Sequence, residues 1–205
     1  IKNTEALEQA SIKNISSYKQ NECWITTREH GLFFIDLLHK TCKRYFTESK
    51  FLKIVKCVAA YKGTVLAAAG NSIFQLDSAS RIFNVIKEAE LFTDIKTMLF
   101  CNDQLWIGTL EKGLYTLDIE RDMALQQIRV PSKKIGNLLQ TKDEILWIAT
   151  RDSGLISMNK KGNILTHSYS NILSSNMLPR NFTLSVFCDK QNNIWVGTSG
   201  GGFSK

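Results

Sequence analysis

Short runs of alternating apolar and polar residues recur along the chain, and one pair of runs shows the unit clearly. The run Leu105-Trp106-Ile107-Gly108-Thr109 is followed by a polar turn and then by Gly113-Leu114-Tyr115-Thr116-Leu117-Asp118. Alternation of this length predicts half-buried β-strands, and a short turn ending in glycine predicts a hairpin between them. The segment therefore predicts two antiparallel strands, LWIGT and LYTLD.

The same pair of strands returns at a nearly constant spacing. Taking the tryptophan position as the mark, the copies lie at Trp24, Leu66, Trp106, Trp147 and Trp195, in steps of 42, 40, 41 and 48 residues. A period of this size is typical of repeat proteins. An apolar run also precedes each hairpin, and a further one follows each of the first four hairpins, so a complete copy predicts four strands.

Four antiparallel strands per repeat of about 40 residues indicate a β-propeller blade. A helical solenoid would need a long periodicity of 3.6 residues, which no segment shows. We therefore predict an all-β fold, a single partial β-propeller over residues 1–205 with four to five blades, and expect it to be part of a longer protein. The approximate blades are 11–48, 53–90, 93–129, 133–177 and 182–205, the last incomplete.

Composition and charge narrow the function classes only slightly. The chain of 205 residues is 43% hydrophobic and carries a formal net charge of +7. Its pairs of adjacent basic residues are spread over different predicted strands and loops. This distribution argues against a continuous nucleic-acid-binding surface. The five cysteines are odd in number and irregularly spaced, so no disulfide framework is predicted. No catalytic, phosphate-binding or metal-binding motif occurs, so no cofactor, metal site or catalytic residue is expected.

The repeated motif resembles the two-component regulator propeller repeat. The resemblance rests on LWIGT followed by GLYTLD and on the segment from Asp189 to Gly202, DKQNNIWVGTSGGG; residues 171–179 also resemble the connection that precedes such a blade. It implies the extracytoplasmic sensor region of a membrane-bound hybrid histidine kinase, located in the periplasm as part of an inner-membrane receptor. Such receptors respond to oligosaccharides and control transcription. The implied partners are an oligosaccharide, further blades and downstream domains of the same receptor, and a second copy in a homodimer.

Candidate ligand-binding residues follow from the antiparallel strand order. The turn between strands two and three of a blade lies at the same end as the connection into the next blade, so polar residues of both segments share one rim. Charged and amide groups there can bind sugar hydroxyls, uronates or sulfates. The rim candidates are Arg28, His30, Lys112, Arg151, Asp152, Arg180 and Asn181.

Two other sets of residues have structural interpretations. The four tryptophans Trp24, Trp106, Trp147 and Trp195 are expected to pack between blades. The threonines that end the tryptophan strands, Thr27, Thr109, Thr150 and Thr198, are expected to cap turns.

Two other functions stay open: a non-enzymatic protein-interaction scaffold, and a propeller lyase using His30 with rim acids. We expect no enzyme activity in this chain itself.

Overall fold

The computed structural model describes residues 4–46, 54–101, 103–119, 121, 123–170 and 178–205. Within these residues the chain forms 19 β-strands, a one-turn α-helix α1 (Glu5–Glu8) and a 3₁₀ helix (Glu90–Asp94). The strands build five antiparallel sheets. None of the helices in the described ranges is long and apolar enough to cross a membrane.

Each sheet is built from strands that are consecutive in the chain, and each strand pairs with its neighbour in sequence. The strands of the first two sheets are β1 (Ile12–Lys19), β2 (Glu22–Thr27), β3 (Leu32–Asp36), β4 (Thr41–Tyr45), and β5 (Val55–Tyr61), β6 (Thr64–Ala69), β7 (Ser72–Leu76), β8 (Phe83–Glu88). Those of the third and fourth are β9 (Ile95–Cys101), β10 (Gln104–Thr109), β11 (Leu114–Asp118), β12 (Ala124–Ile128), and β13 (Ile135–Gln140), β14 (Leu146–Thr150), β15 (Leu155–Met158), β16 (Ile164–Ser168). The fifth has three strands, β17 (Thr183–Cys188), β18 (Ile194–Thr198) and β19 (Gly202–Ser204).

This up-and-down order is that of propeller blades, and it confirms the predicted all-β, β-propeller fold class. The pairing of β10 with β11 places Trp106 opposite Thr116 and Ile107 opposite Tyr115, as the alternation of LWIGT and LYTLD requires. The chain divides into two compact units, Ile1–Ile95 with the first two sheets and Lys96–Lys205 with the last three.

The core of the first unit lies between its two sheets. Trp24 is 1% exposed and packs with Leu32 and Tyr45 of the first sheet against Val58 and Phe74 of the second. A second, smaller cluster on the opposite face of the first sheet contains Ile25, Phe33, Ile35 and Cys42, and Ala6 and Leu7 at α1 pack on it. Burial of large apolar side chains on both faces stabilises this sheet.

The second unit has one core between each pair of successive sheets. Trp106, 5% exposed, packs with Leu114 against Ile135, Ile148 and other residues of the fourth sheet. The half-buried Trp147 packs with Ala149 and Leu155 against Val186 and Val196 of the fifth sheet. Trp195 is also half-buried, and its Nε1 donates a 2.8 Å hydrogen bond to Asp189 Oδ2. The four tryptophans thus differ in depth although they occupy equivalent strand positions.

All five cysteines are free thiols. In the first sheet, Cys23 and Cys42 are register partners of Ile35 from opposite sides, so a whole strand separates them. Alternate strands lie about 10 Å apart, whereas a disulfide needs Cα atoms within about 7 Å. Burial raises the pKa of both thiols, which keeps them protonated.

Candidate functional site

The turn between the second and third strands has the same hydrogen bonds in three of the sheets. Thr150 Oγ1 donates to the carbonyl of Gly154 at 2.8 Å and accepts from the N–H of Ser153 at 2.9 Å. The equivalent bonds of Thr27 and Thr109 have lengths between 2.7 and 3.0 Å. In the fifth sheet, Thr198 Oγ1 donates to Gly202 at 3.1 Å. The threonine hydroxyl therefore satisfies backbone groups that the ladder leaves unpaired, as expected from the sequence.

Backbone hydrogen bonds fasten these turns to the connections between sheets. The N–H that follows the threonine donates to the residue before the first strand of its own sheet, as in Arg151 to Lys134 at 2.8 Å. The glycine N–H donates to the connection that enters the next sheet, as in Gly113 to Lys133 and Gly154 to Asn181, both at 2.9 Å. Turns and connections therefore share one rim in each unit.

The second sheet holds its turn in a different way. It has Ala69 at the threonine position and Ser72 at the position of the glycine. Here the ammonium of Lys56 donates 2.6 Å hydrogen bonds to the carbonyls of Gly70 and Phe92. Burial lowers the pKa of this ammonium. Lys56 thus joins this turn to the 3₁₀ helix that follows the sheet, a contact that the repeat pattern did not predict.

Two candidate residues, Arg28 and His30, lie on the rim of the first unit. Arg28 is exposed, and its N–H donates to Ser11 at 3.0 Å. His30 is half-buried, and its carbonyl accepts a 2.7 Å hydrogen bond from Arg44 Nε. Its buried Nδ1 has no hydrogen-bond partner among the described residues. The backbone of His30 is therefore fixed, and its Nδ1 is buried.

The other five candidates lie on the rim of the second unit, where the backbone bonds described above bring their loops together. Asp152 Oδ1 accepts hydrogen bonds from Ser132 Oγ at 2.5 Å and from Ser153 Oγ at 3.0 Å. Ser132 Oγ also accepts from the N–H of Lys134 at 2.9 Å. The carboxylate thus organises its own turn and the neighbouring connection.

Arg151 lies in the turn between β14 and β15, and Asn181 lies in the connection to the fifth sheet that is bonded to this turn. The guanidinium carbon of Arg151 lies 5.6 Å from the centroid of the Phe182 ring, a cation–π geometry. Asn181 Oδ1 accepts a 2.5 Å hydrogen bond from the N–H of Ser170, so this atom is occupied within the fold. Lys112 is half-buried, and its carbonyl accepts from Gln127 Nε2 at 3.2 Å. Arg180 is exposed.

The structure adds groups that sequence reasoning did not single out. Ser132 and Phe182 belong to the rim, and His167 Nε2 contacts the Ser153 carbonyl at 2.7 Å from the outer strand β16. Phe182 precedes β17 and reads in sequence as part of an apolar strand, so the pattern gave no signal for its exposed ring. Among the described residues, no group of His, Cys, Asp and Glu side chains could hold a metal ion.

The last repeat of the chain carries the decisive similarity. Residues 177–200, which include the Arg180 to Phe182 connection and β17 and β18, match the family model of the two component regulator propeller. This segment is therefore similar to a two component regulator propeller repeat. The resemblance expected from the sequence is confirmed by this match. No curated protein sequence matches the chain.

Several solved structures are similar to the chain as a whole. The extracellular domain of the hybrid two component system BT4673 from B. thetaiotaomicron has a TM-score of 0.75 at 18% identity, over 94% of this chain and 26% of that one. The corresponding domain of BT3049 has a TM-score of 0.60 at 18% identity, over 94% and 33%. Virginiamycin B lyase from Staphylococcus aureus has a TM-score of 0.70 at 13% identity, over 95% and 69%.

These similarities are similarities of fold. The chain spans about a quarter to a third of the length of the two-component extracellular domains. The two-component domains and the lyase share the blade architecture of this chain although their described functions differ. The function must therefore be argued from the regulator repeat and from the groups on the rim.

Proposed function

We propose that the chain is part of the extracytoplasmic, ligand-sensing propeller of a two-component sensor histidine kinase. The observation that carries the proposal is the match of residues 177–200 to the regulator propeller model, a range that contains β17 and β18 of the fifth sheet. Two similar structures described as extracellular domains of two component systems support the same class. The location would be periplasmic, in an inner-membrane receptor.

The ligand in this proposal is an oligosaccharide that binds the rim of the second unit. Arg151, Arg180 and Lys112 supply N–H donors, Asp152 supplies acceptors, and the half-exposed Phe182 ring offers a face on which a sugar can stack. Arg28 and His30 are the corresponding candidates of the first unit. Sugars have many hydroxyls, and planar charged groups bind them through several hydrogen bonds at once.

Signalling would follow if the ligand stabilised one arrangement of the receptor over another. A ligand shifts such an equilibrium only by its difference in affinity for the two states. Further blades, downstream domains and a second receptor copy would be the groups that move, and altered transcription would be the output. No nucleic acid would bind this part of the receptor.

A thermal-shift measurement on the complete extracytoplasmic region tests this proposal. A panel of plant and host oligosaccharides is added, and a sensor is expected to melt at a higher temperature with one class of glycan. A ligand that binds only the folded state at about 100 times its Kd adds about 2.7 kcal/mol of stability. We expect Arg151→Gln and Arg180→Gln to reduce the shift. Lys161→Gln, which removes a charge from the turn between β15 and β16 at the other end of the blade, is the control.

Two other functions predict different results. A protein-interaction scaffold would show no shift with any glycan. A lyase is favoured by the fold similarity to virginiamycin B lyase, and it would require turnover that His30→Ala abolishes. A glycan that binds without being turned over, and whose binding is lost in the Arg151 and Arg180 variants, would favour the sensor over both the scaffold and the lyase.

A further inference from the structure

The rim of the second unit carries a group of basic side chains. The residues concerned are Lys112, Lys133, Lys134, Arg151 and Arg180, and none of them takes part in the Lys19–Glu22, His39–Asp36 or Lys160–Glu144 ion pairs of the described residues. They are not scattered: the Gly113 to Lys133 and Arg151 to Lys134 backbone bonds hold their loops side by side. Charges of one sign gathered in this way create a local potential that attracts anions.

Carboxylates are fewer than basic side chains on this rim, where Glu111 and Asp152 accompany five cationic residues. Asp152 Oδ1 is engaged by the hydroxyls of Ser132 and Ser153. Ser132 is 4% exposed, so its hydroxyl is turned inward toward the carboxylate. Asp152 therefore shapes the loop that presents Lys134 and Arg151.

Arg151 is the best positioned of the basic side chains. Its guanidinium lies over the Phe182 ring, and its Cγ is 3.7 Å from the place where a Cβ on Gly136 would stand. The side chain thus has neighbours both at its stem and at its guanidinium. A guanidinium edge binds carboxylate or sulfate groups through two parallel hydrogen bonds.

We infer that the ligand of this rim is an acidic oligosaccharide, whose carboxylate or sulfate binds the edge of Arg151 and whose adjoining sugar packs against the exposed part of the Phe182 ring. Arg180, two residues before Phe182, and Lys134, whose backbone is bonded to Arg151, flank the same position. The inference rests on the proposed sensor function and specifies its ligand. A neutral sugar would leave the clustered positive charges unused.

The test compares oligosaccharides that differ only in charge. Calorimetric titration of the complete extracytoplasmic region uses tetragalacturonate and its fully methyl-esterified form, which is neutral and nearly the same size. A sulfated chondroitin tetrasaccharide and its desulfated form repeat the comparison for sulfate. We expect each acidic form to bind about tenfold more tightly than its control, and salt to weaken the acidic form.

Variants locate the site. Arg151→Gln and Arg180→Gln are expected to weaken the acidic ligand about tenfold, whereas Lys161→Gln changes its affinity little. Arg151→Lys keeps the charge but loses the planar edge, and we expect an intermediate affinity. Arg180 is exposed, so Arg180→Gln is expected to leave the fold unchanged. It therefore still tests the site if Arg151→Gln lowers the melting temperature.

The remaining outcomes are distinguishable. Equal affinity for acidic and neutral forms, with silent arginine variants, would overturn the inference and leave the sensor function standing. No binding of any oligosaccharide would overturn the sensor function itself. Equal binding of inorganic sulfate or oligothymidylate at matched charge would show a general cationic surface and would also overturn the inference.

Discussion

At the scale of single residues, the turns that carry the rim depend on backbone positions that tolerate little change. Gly154 has φ +77°, and a Cβ there would collide with the Ser168 carbonyl and come within 2.9 Å of Tyr169 Cα. Gly162 has a similar φ of +81° but has open space around it. Alanine variants of Gly154 and Gly162 therefore separate the energetic cost of backbone strain from that of steric collision.

We expect Gly162→Ala to lower the free energy of unfolding by about 1 kcal/mol, from the left-handed conformation alone. Gly154→Ala is expected to cost about 3 kcal/mol or more, because β16 would have to move away from the turn. Chemical denaturation of both variants measures the difference. Equal costs would mean that the collision is relieved without effect on packing.

Asp189 gives a prediction on pH. Its carboxylate accepts hydrogen bonds from Trp195 Nε1 and from Asn193 Nδ2, both at 2.8 Å, and these donors lower the pKa of Asp189 to about 2. In the unfolded chain the pKa of an aspartate is about 3.9. The stabilisation is therefore fully present above about pH 4 and is lost as the pH falls through about 2.

We expect Asp189→Asn to melt below the wild type at pH 6 and the two melting curves to converge between pH 4 and about pH 2. Asp143→Asn, a change of the same charge at an exposed turn residue, is the control and should keep a constant offset. Trp195 fluorescence follows the local change. A difference between wild type and Asp189→Asn that does not depend on pH would contradict this assignment.

At the scale of elements, the first unit depends on an aromatic cluster between its two sheets. The Trp24 ring centroid lies 4.9 Å from that of Phe34, 5.5 Å from Tyr45 and 5.9 Å from Phe83. Residues from β2, β3, β4 and β8 thus meet around one ring. Aromatic pairs in tilted or edge geometries add to the stabilisation from burial.

Trp24→Ala is expected to lower the free energy of unfolding by about 3–5 kcal/mol, because it leaves a large cavity between the sheets. Trp195→Ala is expected to cost less, since part of that side chain already faces solvent. Trp24→Phe should cost less than Trp24→Ala, because it keeps a ring and removes an Nε1 that has no partner among the described residues. Equal costs for Trp24→Ala and Trp195→Ala in denaturant titrations would contradict the difference in depth.

The elements themselves were largely predictable. Alternation fixed which residues of LWIGT and LYTLD face each core, and the turn threonines followed from their place after the tryptophan strand. The sequence did not predict the register skips in the first strands, which fall at Lys13 and Tyr18 in β1 and at Lys56, Gly136 and Leu184 in β5, β13 and β17. A register skip is defined by how a strand pairs with its neighbour. The sequence of one strand alone therefore does not reveal it.

At the scale of the whole molecule, protection from solvent is distributed unevenly within each blade. In β10, five of the six residues are buried, whereas four of the five residues of β12 are exposed. In the third sheet β12 is also an edge, paired only with β11. The free energy of local opening is lowest for a strand that has few apolar contacts and an unpaired edge.

We therefore expect backbone amides of β10 to exchange with deuterium about 100-fold or more slowly than those of β12. The same contrast is expected between β14 and β16. Mass-spectrometric hydrogen exchange with peptide resolution measures both. Slow exchange throughout β12 would contradict an open edge and would show that another surface covers it.

The sequence by itself determined the blade repeat, its strands and the similarity of its last repeat to the two component regulator propeller, because periodic burial and turn chemistry are local properties. It also named the loops of the rim, since antiparallel order fixes which ends meet. Only the tertiary structure decided that the Arg151 guanidinium lies over the Phe182 ring, that Asp152 accepts a hydrogen bond from Ser132, and that Lys56 joins the β6–β7 turn to the 3₁₀ helix. Each of these contacts joins residues about 14 to 36 positions apart. Such pairings depend on how strands register and sheets stack, which no local pattern encodes.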